Sequence, residues 1–137
     1  MTLACPSPAR RKRPVLLIVG CGDVGLRVAR LLRGRWRLLG ITTSAQRKAE
    51  LRAAGIVPLV ADLDAPVTLQ RAAGLADAVL HLAPPPLQGR SDPRTASLLA
   101  ALARRGSVRR IVYGSTTGVY GDCGGERFDE TRAVAPA

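Results

Sequence analysis

Aromatic side chains make up only 3% of this 137-residue chain, which excludes a core built on stacked rings. The interior has to be assembled from Val, Ile, Leu and Ala, a composition that suits a buried parallel sheet flanked by helices. Cysteine is sparse and unpatterned: Cys5, Cys21 and Cys123 are odd in number, form no C-x-x-C pair and stand beside no histidine cluster. That argues against a disulfide framework or a zinc site, so no metal is expected, and it fits a reducing cytoplasm. Long hydrophobic runs are missing as well. No segment approaches the ~20 apolar residues that cross a bilayer. The cluster Arg10-Arg11-Lys12-Arg13 and the apolar run after it resemble a secretory signal only superficially, because Gly20, Gly22 and Asp23 cut the run short. The expectation is a protein of the cytoplasm with no membrane partner.

Acidic residues are few, 10 Asp and Glu against 21 Lys and Arg, for a net charge of +11. Basic charge of this size can mean nucleic acid. Here, however, Lys12 and Lys48 are the only lysines, and the arginines are spread along the chain, many on polar helix faces: Arg27, Arg30, Arg33, Arg94, Arg104, Arg105. No aromatics interleave with them to stack on bases. Nucleic acid is therefore not an expected partner. The competing reading, a nucleic-acid-associated basic protein, predicts salt-sensitive DNA binding that depends on Arg10–Arg13.

What is present is an alternation. Residues 1–14, with Pro6, Pro8 and Pro14, read as a disordered basic leader, and 15–137 as one domain. Strands are expected at 15–19, 36–41, 56–60, 78–82 and 108–113. Helices are expected at 23–33, with Val24, Val28, Leu31 and Leu32 as its apolar side, at 44–54 with Ser44 as N-cap and Gly55 as terminator, at 65–73, and at 92–105 with Pro93 in the first turn. Pro58 places the third strand near a sheet edge. Strands alternating with helices define an α/β fold, a Rossmann-like parallel sheet with helices on both faces.

The most informative stretch is Gly20-Cys21-Gly22-Asp23-Val24-Gly25, between the first strand and the first helix. G-x-G-x-x-G in that context is a dinucleotide fingerprint. The first glycine permits a tight turn, the second lets backbone approach a pyrophosphate, and the third lets helix and strand pack closely. The loops after Val19, Ile41, Val60, Leu82 and Tyr113 should share one crevice at the carboxyl ends of the strands. After the second strand stand Thr42, Thr43 and Ser44, followed by Arg47 and Lys48. A carboxylate there would accept the ribose hydroxyls of NAD; its absence, with cations in reach, favours NADP over NAD. Asp62 is positioned to accept from an adenine amino group or to close an Asx turn. His81 reads as a satisfied strand-end histidine.

The run Tyr113-Gly114-Ser115-Thr116-Thr117-Gly118-Val119-Tyr120-Gly121-Asp122, with the glycine turn, Ala61-Asp62-Leu63, His81-Leu82-Ala83 and Asp129-Glu130, resembles the extended and atypical short-chain dehydrogenase/reductases. These are the NAD(P)-dependent epimerase/dehydratase group. The resemblance covers Val15 to about Glu130. It implies that Gly20, Cys21, Gly22, Asp23, Val24, Gly25, Thr42, Thr43, Arg47, Asp62, Leu63, Leu82, Ala83 and Pro84 hold the cofactor. It also implies that Thr116, or Ser115 one residue earlier, hydrogen-bonds the substrate's reacting oxygen, and that Tyr120 is a packing residue. Extended members carry a further glycine where Val19 stands here, and the family's acid/base is a Tyr-x-x-x-Lys pair that this sequence lacks. The expectation is thus the cofactor-binding part of an oxidoreductase or epimerase, its sheet truncated after the fifth strand. It should bind NADP or NAD without completing a reaction and should tend to form a homodimer. The alternative is a non-catalytic nucleotide-sensing or scaffold module.

Overall fold

The computed structural model describes residues 12–86, 91–115 and 117–135. Strands β1 (Val15–Val19), β2 (Arg37–Thr42), β3 (Ile56–Val60), β4 (Ala78–His81) and β5 (Arg110–Tyr113) form one parallel sheet in the order β3-β2-β1-β4-β5. The intervening helices are α1 (Asp23–Leu32), α2 (Lys48–Ala53), α3 (Pro66–Leu69) and α4 (Pro93–Ala103). 3-10 turns at Ala45–Arg47 and Gln70–Ala72 precede α2 and continue α3. This is the expected Rossmann-like α/β fold, with β3 at one edge as Pro58 implied and β5 at the other.

The sheet is apolar on both sides because both sides are covered. Leu17, Val19, Leu39, Ile41 and Val79 pack against Leu69 of α3 and Leu98 and Leu102 of α4. Leu16, Ile18 and Leu38 alternate to the opposite face and meet Ala29 of α1 and Leu51 of α2. Burial of each such Leu or Ile side chain is worth about 1.5–3 kcal/mol. The strand order reverses between β1 and β4, and the crevice beyond their carboxyl ends is the switch point where this architecture holds ligands.

Two local expectations need correction. Helix α1 does not bury Val24 and Leu31, which are 58% and 78% exposed; it lies on the sheet through Gly25 and Ala29, both buried, with Leu26 and Leu32 packed beside them. Small residues four apart allow close approach, and that sets the helix rotation in place of the larger Val and Leu side chains. Ser44 makes no side-chain cap to the helix. Its backbone N–H instead donates to Thr42 Oγ1 at 3.2 Å, and its own hydroxyl donates to Gln46 Oε1. The chain from 45 to 53 consequently opens as a 3-10 turn and becomes helical only at Lys48. Gly55, at φ +81°, ends α2 as expected.

Candidate functional site

The glycine turn is built by contacts that leave no choice at two of its positions. Gly20 has φ +93°, and a Cβ there would lie 2.6 Å from the backbone nitrogen of Ala83; at Gly25 a Cβ would lie 2.8 Å from the carbonyl oxygen of Gly20. Both glycines are therefore demanded by the fold itself. Gly22 differs: its φ of −80° suits any residue, and a Cβ there would meet nothing within 4 Å. It stands at the N-cap of α1 without a side-chain cap, so among the described residues the first-turn N–H groups have no side-chain acceptor. Asp23 and Val24 lie in that first turn, exposed, with Asp23 paired to Arg27 at 2.9 Å. Behind the turn, Cys21 is buried, and a Cβ on Gly40 of β2 would come within 2.7 Å of its sulfur. Burial pushes the Cys21 thiol up to about 11, only partly opposed by the nearby Arg47 charge, so the sulfur is a neutral packing group.

A cavity of about 280 Å³ opens beside the turn, lined by Gly20 and Cys21, by Thr42, Thr43 and Arg47 after β2, by Asp62 and Leu63 after β3, and by Ala83 after β4. Eight of the sequence-predicted residues thus share one hollow. Leu82 and Pro84 stand beside it: Leu82 N–H donates to the Val19 carbonyl at 2.7 Å, and the Pro84 carbonyl accepts from Arg94 at 3.4 Å. Arg47 Nη2 donates to the carbonyl of Cys21 at 2.9 Å, while its Nε and Nη2 also donate to Glu50 at 3.0 and 3.1 Å. The Glu50 hydrogen bond raises the Arg47 pKa, and the same bond lowers that of Glu50. Asp62 Oδ1 accepts from the Asp64 N–H at 2.9 Å, so the Asx turn is formed.

Two residues and one network were not legible in the sequence. Asp64 and Arg94 line the cavity and form a two-pronged ion pair at 2.7 and 2.6 Å, joining the loop after β3 to the first turn of α4. Thirty residues separate them, so only the fold reveals the pair. The network lies where β4, β5 and α4 meet. Asp92 caps α4, accepting from the Thr95 N–H at 3.0 Å and from Thr95 Oγ1 at 2.5 Å; Tyr113 Oη donates to it at 3.4 Å. With its proton on Asp92, Thr95 Oγ1 is left to accept from His81 Nε2, 3.0 Å away, which assigns the Nε2–H tautomer. His81 is 2% exposed and its Nδ1 has no partner among the described residues. Burial lowers the His81 pKa, against a smaller opposing pull from Asp92. The expectation of a satisfied histidine therefore holds at one nitrogen only. Tyr120 packs edge-on against Phe128 with ring centroids 4.9 Å apart, as its packing role implied. Thr116 lies outside the described residues.

The profile of the TrkA-N domain family matches residues 16–116, and the chain belongs to that family. Among solved structures it is similar to a conserved protein of unknown function from Silicibacter pomeroyi, at 30% identity and a TM-score of 0.64, over 90% of this chain and 43% of that one. It is also similar to a short-chain dehydrogenase/reductase superfamily protein from Agrobacterium tumefaciens with bound NAD. There the identity is 26% and the TM-score 0.66, over 90% of this chain and 39% of that one. The likeness to short-chain dehydrogenase/reductases read from the sequence is thus borne out. An NADPH-dependent quinone oxidoreductase from Escherichia coli, at 22% identity and a TM-score of 0.56 over 72% of this chain and 34% of that one, shares the fold. The chain spans about two-fifths of the length of the first two of these structures. No curated protein matches the chain. Among the described residues, no helix is long and apolar enough to cross a membrane.

Proposed function

We propose that this chain is the NAD(P)-binding part of an oxidoreductase or epimerase of the short-chain dehydrogenase/reductase type, and that NADP is its preferred cofactor. One observation carries the reading. Gly22 is a glycine that the fold does not require, at a helix N-terminus whose N–H groups no side chain caps among the described residues. A missing side chain with open space in front of it fits close approach by a ligand, and a pyrophosphate is the anion such a terminus accepts. The residues around the hollow fit the rest of a dinucleotide. Asp62 and Leu63 flank the adenosine end, with the second oxygen of Asp62 free to accept an amino group. Ala83 packs its backbone against Gly20 where β1 and β4 end side by side.

Arg47 supports the choice of NADP. It stands on the cavity wall after β2, where Thr42 and Thr43 offer hydroxyls in place of a carboxylate. A guanidinium matches a 2′-phosphate in both charge and geometry. A nicotinamide cofactor held here supplies reversible hydride transfer. The chain's own part is to bind and orient it; Thr116, assigned from the family resemblance, steadies the substrate oxygen. The sequence holds no Tyr-x-x-x-Lys pair, so none of these residues is assigned the proton transfer. Titrating NADPH and NADH by cofactor fluorescence tests the reading. Saturable binding with NADPH about tenfold tighter is expected. No response at about 1 mM of either cofactor would overturn it.

A further inference from the structure

Parallel strands begin at the same pole of a sheet, and here that pole gathers charges that lie far apart in the sequence. Val15 of β1 is level with Arg37 of β2, and Ala78 of β4 is level with Leu16 of β1 and Arg110 of β5. The residues leading into these strands are Lys12 and Arg13 for β1, Arg33 for β2 and Arg109 for β5, all exposed. A hollow of about 650 Å³ at this pole is lined by Lys12, Arg13, Arg33 and Arg37 together with Trp36. A second hollow of about 320 Å³ is lined by Arg109 and Arg110, and again by Trp36. Trp36, the chain's only tryptophan, therefore borders both basic hollows.

Elsewhere the arginines that form close ion pairs are Arg27, Arg47, Arg94 and Arg132, each with its own carboxylate. At this pole none of the six cations is paired with a carboxylate among the described residues. Among the described residues Asp77 is the one acid lining either hollow, and its Oδ2 accepts the Val15 N–H at 2.7 Å. From β2 to β5 the stripe crosses three strand spacings, about 14 Å. That is too long for one phosphate and suits several successive ones. Unpaired cations in a line with an aromatic side chain between them are the elements of a single-strand track: charge follows the phosphates, and a ring offers a base an apolar surface.

We propose that this pole, opposite the cofactor crevice, is a binding site for single-stranded nucleic acid centred on Trp36, with Arg33 and Arg37 on one side and Arg109 and Arg110 on the other. The site is separate from the dinucleotide reading and does not depend on it. Trp36 is a built-in reporter. Titrating the chain with a single-stranded oligonucleotide of about 12 nucleotides should quench its emission saturably. The affinity should fall about a hundredfold between about 50 and about 200 mM salt, the response of roughly five phosphate contacts. The double charge reversal R33E/R37E should weaken binding at least ~10-fold while leaving NADPH titration and Tm unchanged. If that variant misfolds, R109E/R110E carries the same expectation. An unquenched Trp36, or wild-type affinity in a folded charge-reversal variant, would overturn the proposal. So would equal affinity for phosphatidylserine vesicles or for inorganic tripolyphosphate, which would assign the pole to a membrane surface or to small anions.

Discussion

Arg47 Nη2 donates a 2.9 Å hydrogen bond to the carbonyl oxygen of Cys21, tying the segment after β2 to the glycine turn after β1. The same guanidinium is also held by Glu50 at 3.0 and 3.1 Å. One side chain thus braces the turn and is shared with a carboxylate on α2. A 2′-phosphate arriving at this wall would compete with Glu50 for it.

Releasing that competition should favour the phosphorylated cofactor. Glu50→Gln is expected to tighten NADPH severalfold and leave NADH nearly unchanged, whereas Arg47→Ala should weaken NADPH about tenfold and NADH less. Parallel calorimetric titrations of the two cofactors check this. An equal effect on both would show that Arg47 serves the turn alone.

Gly40 is where β2 makes room for the turn. Adding a Cβ there drives it to 2.7 Å from both Cys21 Sγ and Ile56 Cγ2. Gly40→Ala should destabilise the chain by about 1–3 kcal/mol through overpacking. In the Cys21→Ala background the loss should be smaller, with a coupling of at least ~0.5 kcal/mol. Urea unfolding of the four proteins gives the cycle; strict additivity would mean that the turn moves aside.

The network around His81 predicts acid sensitivity. Its folded pKa lies below the ordinary 6.5 because burial opposes the charge, so near and below that pH the unfolded chain binds the extra proton. The contribution to stability is fully present above about 6.5 and is lost as pH falls toward the folded value. His81→Gln, which can keep a donor toward Thr95, should flatten the Tm profile across that window even if it lowers Tm overall. An unchanged slope would show that His81 does not carry the dependence; Asp92, whose pKa is held down, against burial, by the Thr95 hydrogen bonds, loses its own contribution only at lower pH.

Arg94 closes the cavity wall from the α4 side, and its pair with Asp64 is largely solvent-exposed. Exposed pairs add little to stability because solvent screens them. Arg94→Ala should leave Tm near the wild-type value while weakening dinucleotide binding severalfold, and Asp64→Asn should do the same. A large drop in Tm with undiminished binding would make the pair a structural brace.

The element order was legible because each buried strand is a short apolar run and each helix is bounded by a recognisable glycine, proline or Asp. The sheet order and the shared rim followed from the alternation. What escaped were relationships the chain makes only after folding. Gly25 and Ala29 set the rotation of α1 through their small size, which a hydrophobicity pattern ignores in favour of Val24 and Leu31. The Asp64–Arg94 pair closes over 30 residues, and Arg94 on its own is one more arginine on a helix. The basic pole stayed hidden because Arg13, Arg37 and Arg110 meet only when parallel strands align their starts.

Gly22 is, in the proposed site, a glycine for the sake of a ligand. Measuring NADPH affinity and Tm together for the wild type and Gly22→Ala tests that most directly. We expect an unchanged Tm, since the added Cβ meets nothing within 4 Å, and an affinity at least ~10-fold weaker, since the methyl would stand where the proposed pyrophosphate approaches. A variant that binds NADPH as tightly as the wild type would contradict the cradle and leave Gly22 without a ligand role.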